Sequence, residues 1–223
     1  MSFYKAKQIV IPPLLVLAIM GLFVGDSPQY VSGLSPFFSA VGQLEEDVFQ
    51  KAKIFRVENE LAYDNRIREK IRLTIANYNT GLDGSRSAMI PEWILAESKK
   101  YGYDPLFLTA LIITESSFYN WALSNRGAYG LMQLKVTTAA AMASEIHMKW
   151  KGKHTLYSPR ENIALGAYYL NKLVTRFGDM TLALEAYNQG PSRLSRFLRK
   201  GYHPQRYSGK VLKNYRKIRF QPI

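Results

Sequence analysis

Apolar residues recur at steps of three and four along most of the chain, and no alternating run is long enough to specify a strand. Val41, Leu44, Val48, Ala52 and Phe55, followed by Ile67, Ile71, Ile75 and Tyr78, mark the segment Phe37–Tyr78 as helical. Glu58, Asn59 and Glu60 interrupt that stripe, which predicts two helical segments or one bent helix. Beyond the polar loop Gly81–Ser87, Pro91 suits the first turn of a helix over Ile90–Tyr101. Asp104 as N-cap and Pro105 at the first helical position then open a new helix, whose apolar run is Leu106–Ile113. Further helices are expected over Thr137–Met148, from the capping candidate Ser158 to Gly178, and over Thr181–Tyr187. Lys149–His154 reads as a basic loop and Asn188–Pro191 as a turn. The fold class expected is mainly α, with at most a trivial hairpin.

The amino terminus has a different pattern. Lys5 and Lys7 precede an uncharged run from Ile9 to Gly25, which Asp26 ends. As a helix rising about 1.5 Å per residue, that run reaches roughly 25 Å, just short of a hydrocarbon core of about 30 Å. The preceding lysines would hold the amino terminus in the cytoplasm and send the remainder across. No small-x-small cleavage site adjoins the run. The expectation is a retained signal-anchor, with a cleaved signal peptide as the alternative. The organisation expected is residues 1–26 as that segment, 27–87 as linker and helical spacer, and 88–223 as a catalytic domain ending in a basic tail. Residues 37–78 are expected to pack on that domain or space it from the membrane, an oligomerising coiled coil being the further option.

Composition narrows the chemistry. Cysteine is absent, which removes disulfides, thiolate metal sites and a cysteine nucleophile. His147, His154 and His203 are scattered without a ligand spacing, and no phosphate loop or dinucleotide fingerprint occurs, so no cofactor or metal is expected. Net charge is +13, and ten Lys or Arg with no Asp or Glu fall between Pro191 and Ile223. Such a patch attracts polyanions. No nucleic-acid module is present by motif, so nucleic acid is not the expected partner.

One carboxylate stands out. Leu108, Leu111, Ile112 and Glu115 share a helical face, which aims an acid along an apolar stripe. Apolar neighbours disfavour the charged form of a carboxyl, so its pKa rises and it can hold a proton near neutral pH. The plainer alternative is that Glu115 ends a buried helix and turns into solvent.

The residues that follow favour chemistry. Glu115-Ser116 leads to Ser124 and to Gly130-Leu131-Met132-Gln133, then to Asn162–Leu170 and Ala186-Tyr187-Asn188-Gln189-Gly190. This ordered set resembles the catalytic domain of soluble (SLT) type lytic transglycosylases, a lysozyme-like fold that cleaves peptidoglycan. The resemblance covers roughly Met89 to Tyr215. It implies that Glu115 alone serves as acid and base at the β-1,4 bond between N-acetylmuramic acid and N-acetylglucosamine, leaving a 1,6-anhydromuramoyl product. It also implies substrate contacts by Ser124, Met132, Gln133, Tyr187 and Asn188, with the Tyr187 hydroxyl near the acid. Tyr207 and Tyr215 resemble the closing segment of such domains more weakly, and Glu185 is expected outside the reaction centre. The partners implied are peptidoglycan glycan strands, the inner membrane through the N-terminal helix, and an envelope-assembly protein as an option. The location implied is the periplasmic face of a bacterial inner membrane, or the soluble periplasm after cleavage. A hydrolytic muramidase and a non-catalytic wall-binding component are the competing readings.

Overall fold

The computed structural model describes residues 29–222, with side chains from residue 39 onward. The N-terminal apolar run, and with it the choice between anchor and cleaved signal, lies outside the described residues. Among the described residues no helix is long and apolar enough to cross a membrane. The chain divides into two compact units, 1–59 and 60–223. In the first, the described chain is helical, within α1 (Gln29–Ile75), and Leu44, Val48 and Phe55 of the expected stripe are solvent-exposed. One continuous helix therefore replaces the alternative of two segments. Glu58, Asn59 and Glu60 interrupt the apolar pattern but carry neither proline nor glycine, so the backbone has no reason to stop.

The second unit begins at Glu60 and takes in the end of α1, which supplies Ile71 and Ile75 to its core. Arg68 pairs with Glu92, and Lys99 with Asp64, to fix that end against α2 (Gly84–Tyr101). Helix α2 begins six residues before the expected start. Asp83 accepts a hydrogen bond from the Arg86 N–H at 2.8 Å, and this cap outweighs the helix-start signal of Pro91, which sits inside the helix among the buried residues Ile90, Ile94 and Leu95. Asp104 does cap α3 (Pro105–Ser116) as expected, accepting from Leu106 N–H at 2.8 Å.

Helix α3 is the centre of this unit. All eight residues from Pro105 to Ile112 are buried, so it is apolar around its whole circumference and not merely along one stripe. It is followed by a two-residue hairpin, β1 (Ala128–Tyr129) and β2 (Leu134–Lys135), paired antiparallel. Then come α4 (Val136–Glu145), the single turn α5 (Lys153–Leu156) and α6 (Pro159–Phe177). Ser158 at the start of α6 donates to Glu161 and makes no backbone cap, contrary to the expected role. Helices α7 (Met180–Gln189), α8 (Pro191–Arg199) and α9 (Arg206–Phe220) complete the unit. The stretch read as a basic tail is thus two helices. Helix α9 lies along α3, where Phe107 and Tyr215 meet edge to face at 6.0 Å and Asn214 donates to Thr114 at 3.0 Å.

The hairpin loop Gly130–Gln133 is held by hydrogen bonds from three helices. Ser116 at the end of α3 donates to Leu131 O at 2.7 Å, and Tyr187 of α7 donates to Met132 O at 2.8 Å. Asn162 of α6 is fully buried, accepts from Met132 N–H at 2.8 Å, and donates to Tyr129 O and Leu156 O at 3.1 and 2.9 Å. Gly130 has φ +77°, and a Cβ there would collide with Leu156 O and the Asn162 amide. Only glycine suits both the backbone angle and the approach. Replacing Asn162 by alanine strands the buried Leu156 carbonyl, the buried Met132 N–H and the part-buried Tyr129 carbonyl. We expect Asn162→Ala to cost about 3 kcal/mol, read as a lowered urea midpoint at unchanged m-value.

Candidate active site

The helix that buries Leu108, Leu111 and Ile112 carries Glu115 one turn further, at the floor of a cleft of about 390 Å³. Ser124, Gln133, Tyr169, Tyr187 and Asn188 line the same cleft. Glu115 is the only carboxylate among the described lining residues. Burial pushes its pKa up to about 7, against a smaller opposing effect from a hydrogen bond that Tyr207 donates to Oε1. The carboxyl is therefore neither in open solvent nor in an ion pair. It is divided between its two protonation states near neutral pH.

Tyr207 is the site residue that the sequence underweighted. Its phenol, and not that of Tyr187, meets the acid. Burial and the nearby Glu115 carboxyl hold the Tyr207 hydroxyl far above the ordinary tyrosine range, so it acts as a fixed hydrogen-bond donor and not as a proton source. Glu185 holds this tyrosine in place. Its buried Oε1 accepts from Tyr207 N–H at 2.8 Å, Ser208 N–H at 2.9 Å and Ser208 Oγ at 3.0 Å, satisfying the first turn of α9. Glu185 is thus outside the reaction centre, as expected, yet it positions the residue that touches the acid. The sequence signal for this pairing was the Tyr207…Lys210-Val211…Tyr215 segment, which marks a tyrosine without saying what it faces.

The other predicted residues separate. Ser124 and Asn188 line the cleft. The Ser124 Oγ accepts from Ala128 N–H at 3.0 Å and Arg126 N–H at 3.3 Å, which fixes the turn and leaves its own proton to donate. Gln133 also lines the cleft, but its amide nitrogen already donates to Gly130 O and Ala122 O at 3.0 and 3.2 Å. The expectation that it both donates to and accepts from substrate narrows to acceptance at Oε1. Tyr187 lines the cleft with its ring, which packs on Tyr169 at 5.2 Å, while its hydroxyl serves the hairpin loop. Met132 does not border the cleft. Its side chain is fully buried against Gly166, where a Cβ would clash with it, so only its backbone contributes. Among the described residues no group of His, Asp or Glu is placed to hold a metal ion.

With this geometry fixed, the comparisons with known proteins decide the family. The Transglycosylase SLT domain matches residues 92–208, just over half of the chain. The chain belongs to this family. A transglycosylase of Enterobacteria phage PRD1 is 36% identical over 123 residues, 55% of this chain and 42% of the phage protein. A putative soluble lytic murein transglycosylase of Haemophilus influenzae is 31% identical over 121 residues, 54% of this chain and 19% of that protein. The chain thus spans less than half the length of these relatives. The 70 kDa soluble lytic transglycosylase of Escherichia coli shares the fold, with a TM-score of 0.55 at 21% identity over 67% of this chain and 29% of the other. The SLT domain here is accordingly mainly α and lysozyme-like, and its cleft contains Glu115.

A carboxyl whose folded pKa is raised destabilises the protein once ionised. Relative to an ordinary glutamate, stability is complete at acid pH and declines as pH rises from about 4.5 to about 7. Glu115→Gln keeps an oxygen for Tyr207 and removes that penalty. We expect the variant to match the wild type in unfolding free energy near pH 4 and to exceed it by about 3 kcal/mol at pH 8 in paired denaturation curves.

Proposed function

We propose that the chain is a peptidoglycan lytic transglycosylase in which Glu115 serves as both acid and base. As the acid, Glu115 gives its proton to the β-1,4 oxygen between N-acetylmuramic acid and N-acetylglucosamine, and the bond to the departing N-acetylglucosamine breaks. As a carboxylate it then takes the proton of the muramoyl 6-hydroxyl, whose oxygen closes on the anomeric carbon. The chain ends in a 1,6-anhydromuramoyl unit, no water is consumed, and Glu115 is protonated again.

The observation that carries this reading is the pKa of about 7 on the lone carboxyl of the cleft. One group can donate and recover a proton in a single cycle only if both forms are accessible at working pH. Hydrolysis with inversion or retention usually employs a second carboxylate within about 10 Å of the first. The described cleft lining supplies none, which favours an internal hydroxyl over an activated water. Ser124, Asn188 and the Gln133 carbonyl oxygen are read as the polar contacts to the sugars, and the Tyr169–Tyr187 pair as an apolar wall. The N-terminal apolar run supports placing this activity at the periplasmic face of a bacterial inner membrane.

Mass spectrometry of peptidoglycan digested by the chain tests the reaction. Anhydro-muropeptides are the expected products, and Glu115→Gln lowers their release by about 10³-fold. Products with reducing muramic acid ends would replace the lyase by a hydrolase. No release by the wild type would leave a wall-binding component.

A further inference from the structure

A hollow of about 510 Å³ lies apart from the cleft and shares no lining residue with it. Two of the chain's three tryptophans, Trp93 and Trp121, line it together with Tyr157, Arg86, His154 and Arg160. The hairpin stands between the two sites. Ala128 of β1 lines the cleft, whereas the next residue, Tyr129, meets Tyr157 edge to face at 5.7 Å. Successive residues of a strand point to opposite faces, so the hollow is on the back of the hairpin and does not continue the cleft. Its aromatic wall is held from several sides. The Trp121 and Tyr157 rings meet at 5.1 Å, and Trp121 Nε1 donates to Gly81 O at 2.8 Å. The side chain of the fully buried Asn120 donates to Tyr157 O at 2.9 Å, and its backbone N–H donates to Thr80 O at 2.9 Å. Gly81 has φ +68°, and a Cβ there would strike the Trp121 and Tyr119 rings. Trp121 is nevertheless 43% exposed. Apolar ring surface left in water costs free energy, and a ligand that covers a ring already fixed recovers it with little further ordering.

The charges of the hollow nearly cancel. Arg86 pairs with Asp83 at 2.9 Å, and Arg160 is offset by Glu161, which also lines the hollow and accepts from Ser158. A polyanion is drawn instead to the ten Lys and Arg beyond Pro191. The ligand that fits is uncharged, with a flat apolar face and a polar edge. A sugar ring is built in this way. Its C–H face covers an aromatic ring, while its hydroxyl and acetamido groups reach donors such as the Arg160 guanidinium and His154. We infer that the hollow is a non-catalytic seat for an N-acetylated glycan strand, which holds the chain on the wall while the cleft works on a neighbouring strand. The inference rests on the reading of the cleft as a peptidoglycan site. A strand seated behind the hairpin raises the effective concentration of its neighbours at the cleft.

The test uses the full chain carrying Glu115→Gln, together with insoluble peptidoglycan. In that background Trp121→Ala/Arg160→Gln is expected to weaken co-sedimentation by about tenfold, whereas Trp121→Phe, which keeps a stacking face, retains most of it. Both side chains are exposed, and circular dichroism of the double variant confirms its fold. With Glu115 intact, the same double variant is expected to keep wild-type kcat/KM on a soluble tetrasaccharide that engages the cleft alone. A second arm uses the uncharged N-acetylglucosamine tetramer. No tryptophan lines the cleft, so quenching of tryptophan fluorescence reports the hollow. The quench is expected to be insensitive to salt and to vanish in the double variant. Equal co-sedimentation of the double variant overturns the inference. Binding through Trp121 that weakens steeply with salt also overturns it, because that marks an acidic partner. Binding lost with Trp121 in a chain that releases no anhydro-muropeptides supports the hollow while removing the catalytic reading. Release of those products with binding indifferent to Trp121 does the reverse.

Discussion

The hydroxyl of Tyr207 donates to the carboxyl of Glu115 across 92 residues of sequence, and the rest of the site is arranged around that contact. Burial raises the Glu115 pKa and favours its neutral form. A single hydrogen bond to the ionised form pulls the pKa back, and the balance settles at about 7. The two opposing effects come from different parts of the fold. Helix α3 supplies the apolar burial, and α9 supplies the hydroxyl. The packing of α9 along α3, through Phe107 with Tyr215 and Asn214 with Thr114, therefore bears directly on the chemistry of the acid.

A second constraint holds the opposite wall. The hairpin loop Gly130–Gln133 has little regular structure of its own, and its backbone groups are satisfied from outside by Ser116, Asn162 and Tyr187. Each of these belongs to a different helix, so the loop can keep its shape only when α3, α6 and α7 are all in place. This explains why a serine beside the acid, a glycine-rich loop and a late tyrosine occur together in the chain. They are one hydrogen-bonded assembly, and only its inner edge faces the cleft. Gly166 belongs to the same assembly, since its missing Cβ makes room for Met132.

Local signals in the sequence located most of the fold. The Asp104-Pro105 start, the apolar run of α3 and the position of Glu115 followed from spacing and capping alone, because those signals act within a few residues. Pro91 points to a later start of α2 than the one observed, since the side-chain cap by Asp83 lies eight residues before it and competes with it. Helices α8 and α9 were obscured by their charge. Their polar faces dominate the composition, whereas the buried faces rest on a few residues such as Leu194, Val211 and Ile218. The site was legible in its residue types more than in its contacts. Tyr187 lines the cleft, but its hydroxyl serves the loop, and the Met132 side chain is buried. Which phenol reaches the acid depends on how α7 and α9 pack, and no short-range pattern encodes that. Tyr207 could be suspected from its segment, and only tertiary structure pairs it with Glu115.

Burial and one hydrogen bond oppose each other at the Glu115 carboxyl, and direct titration reads their balance. Carbon-13 NMR of the Glu115 side-chain carboxyl in the full chain is predicted to give a midpoint close to 7, moving upward when Tyr207→Phe removes the donor. A midpoint near 4.5, or one that stays in place or falls in Tyr207→Phe, would contradict the account.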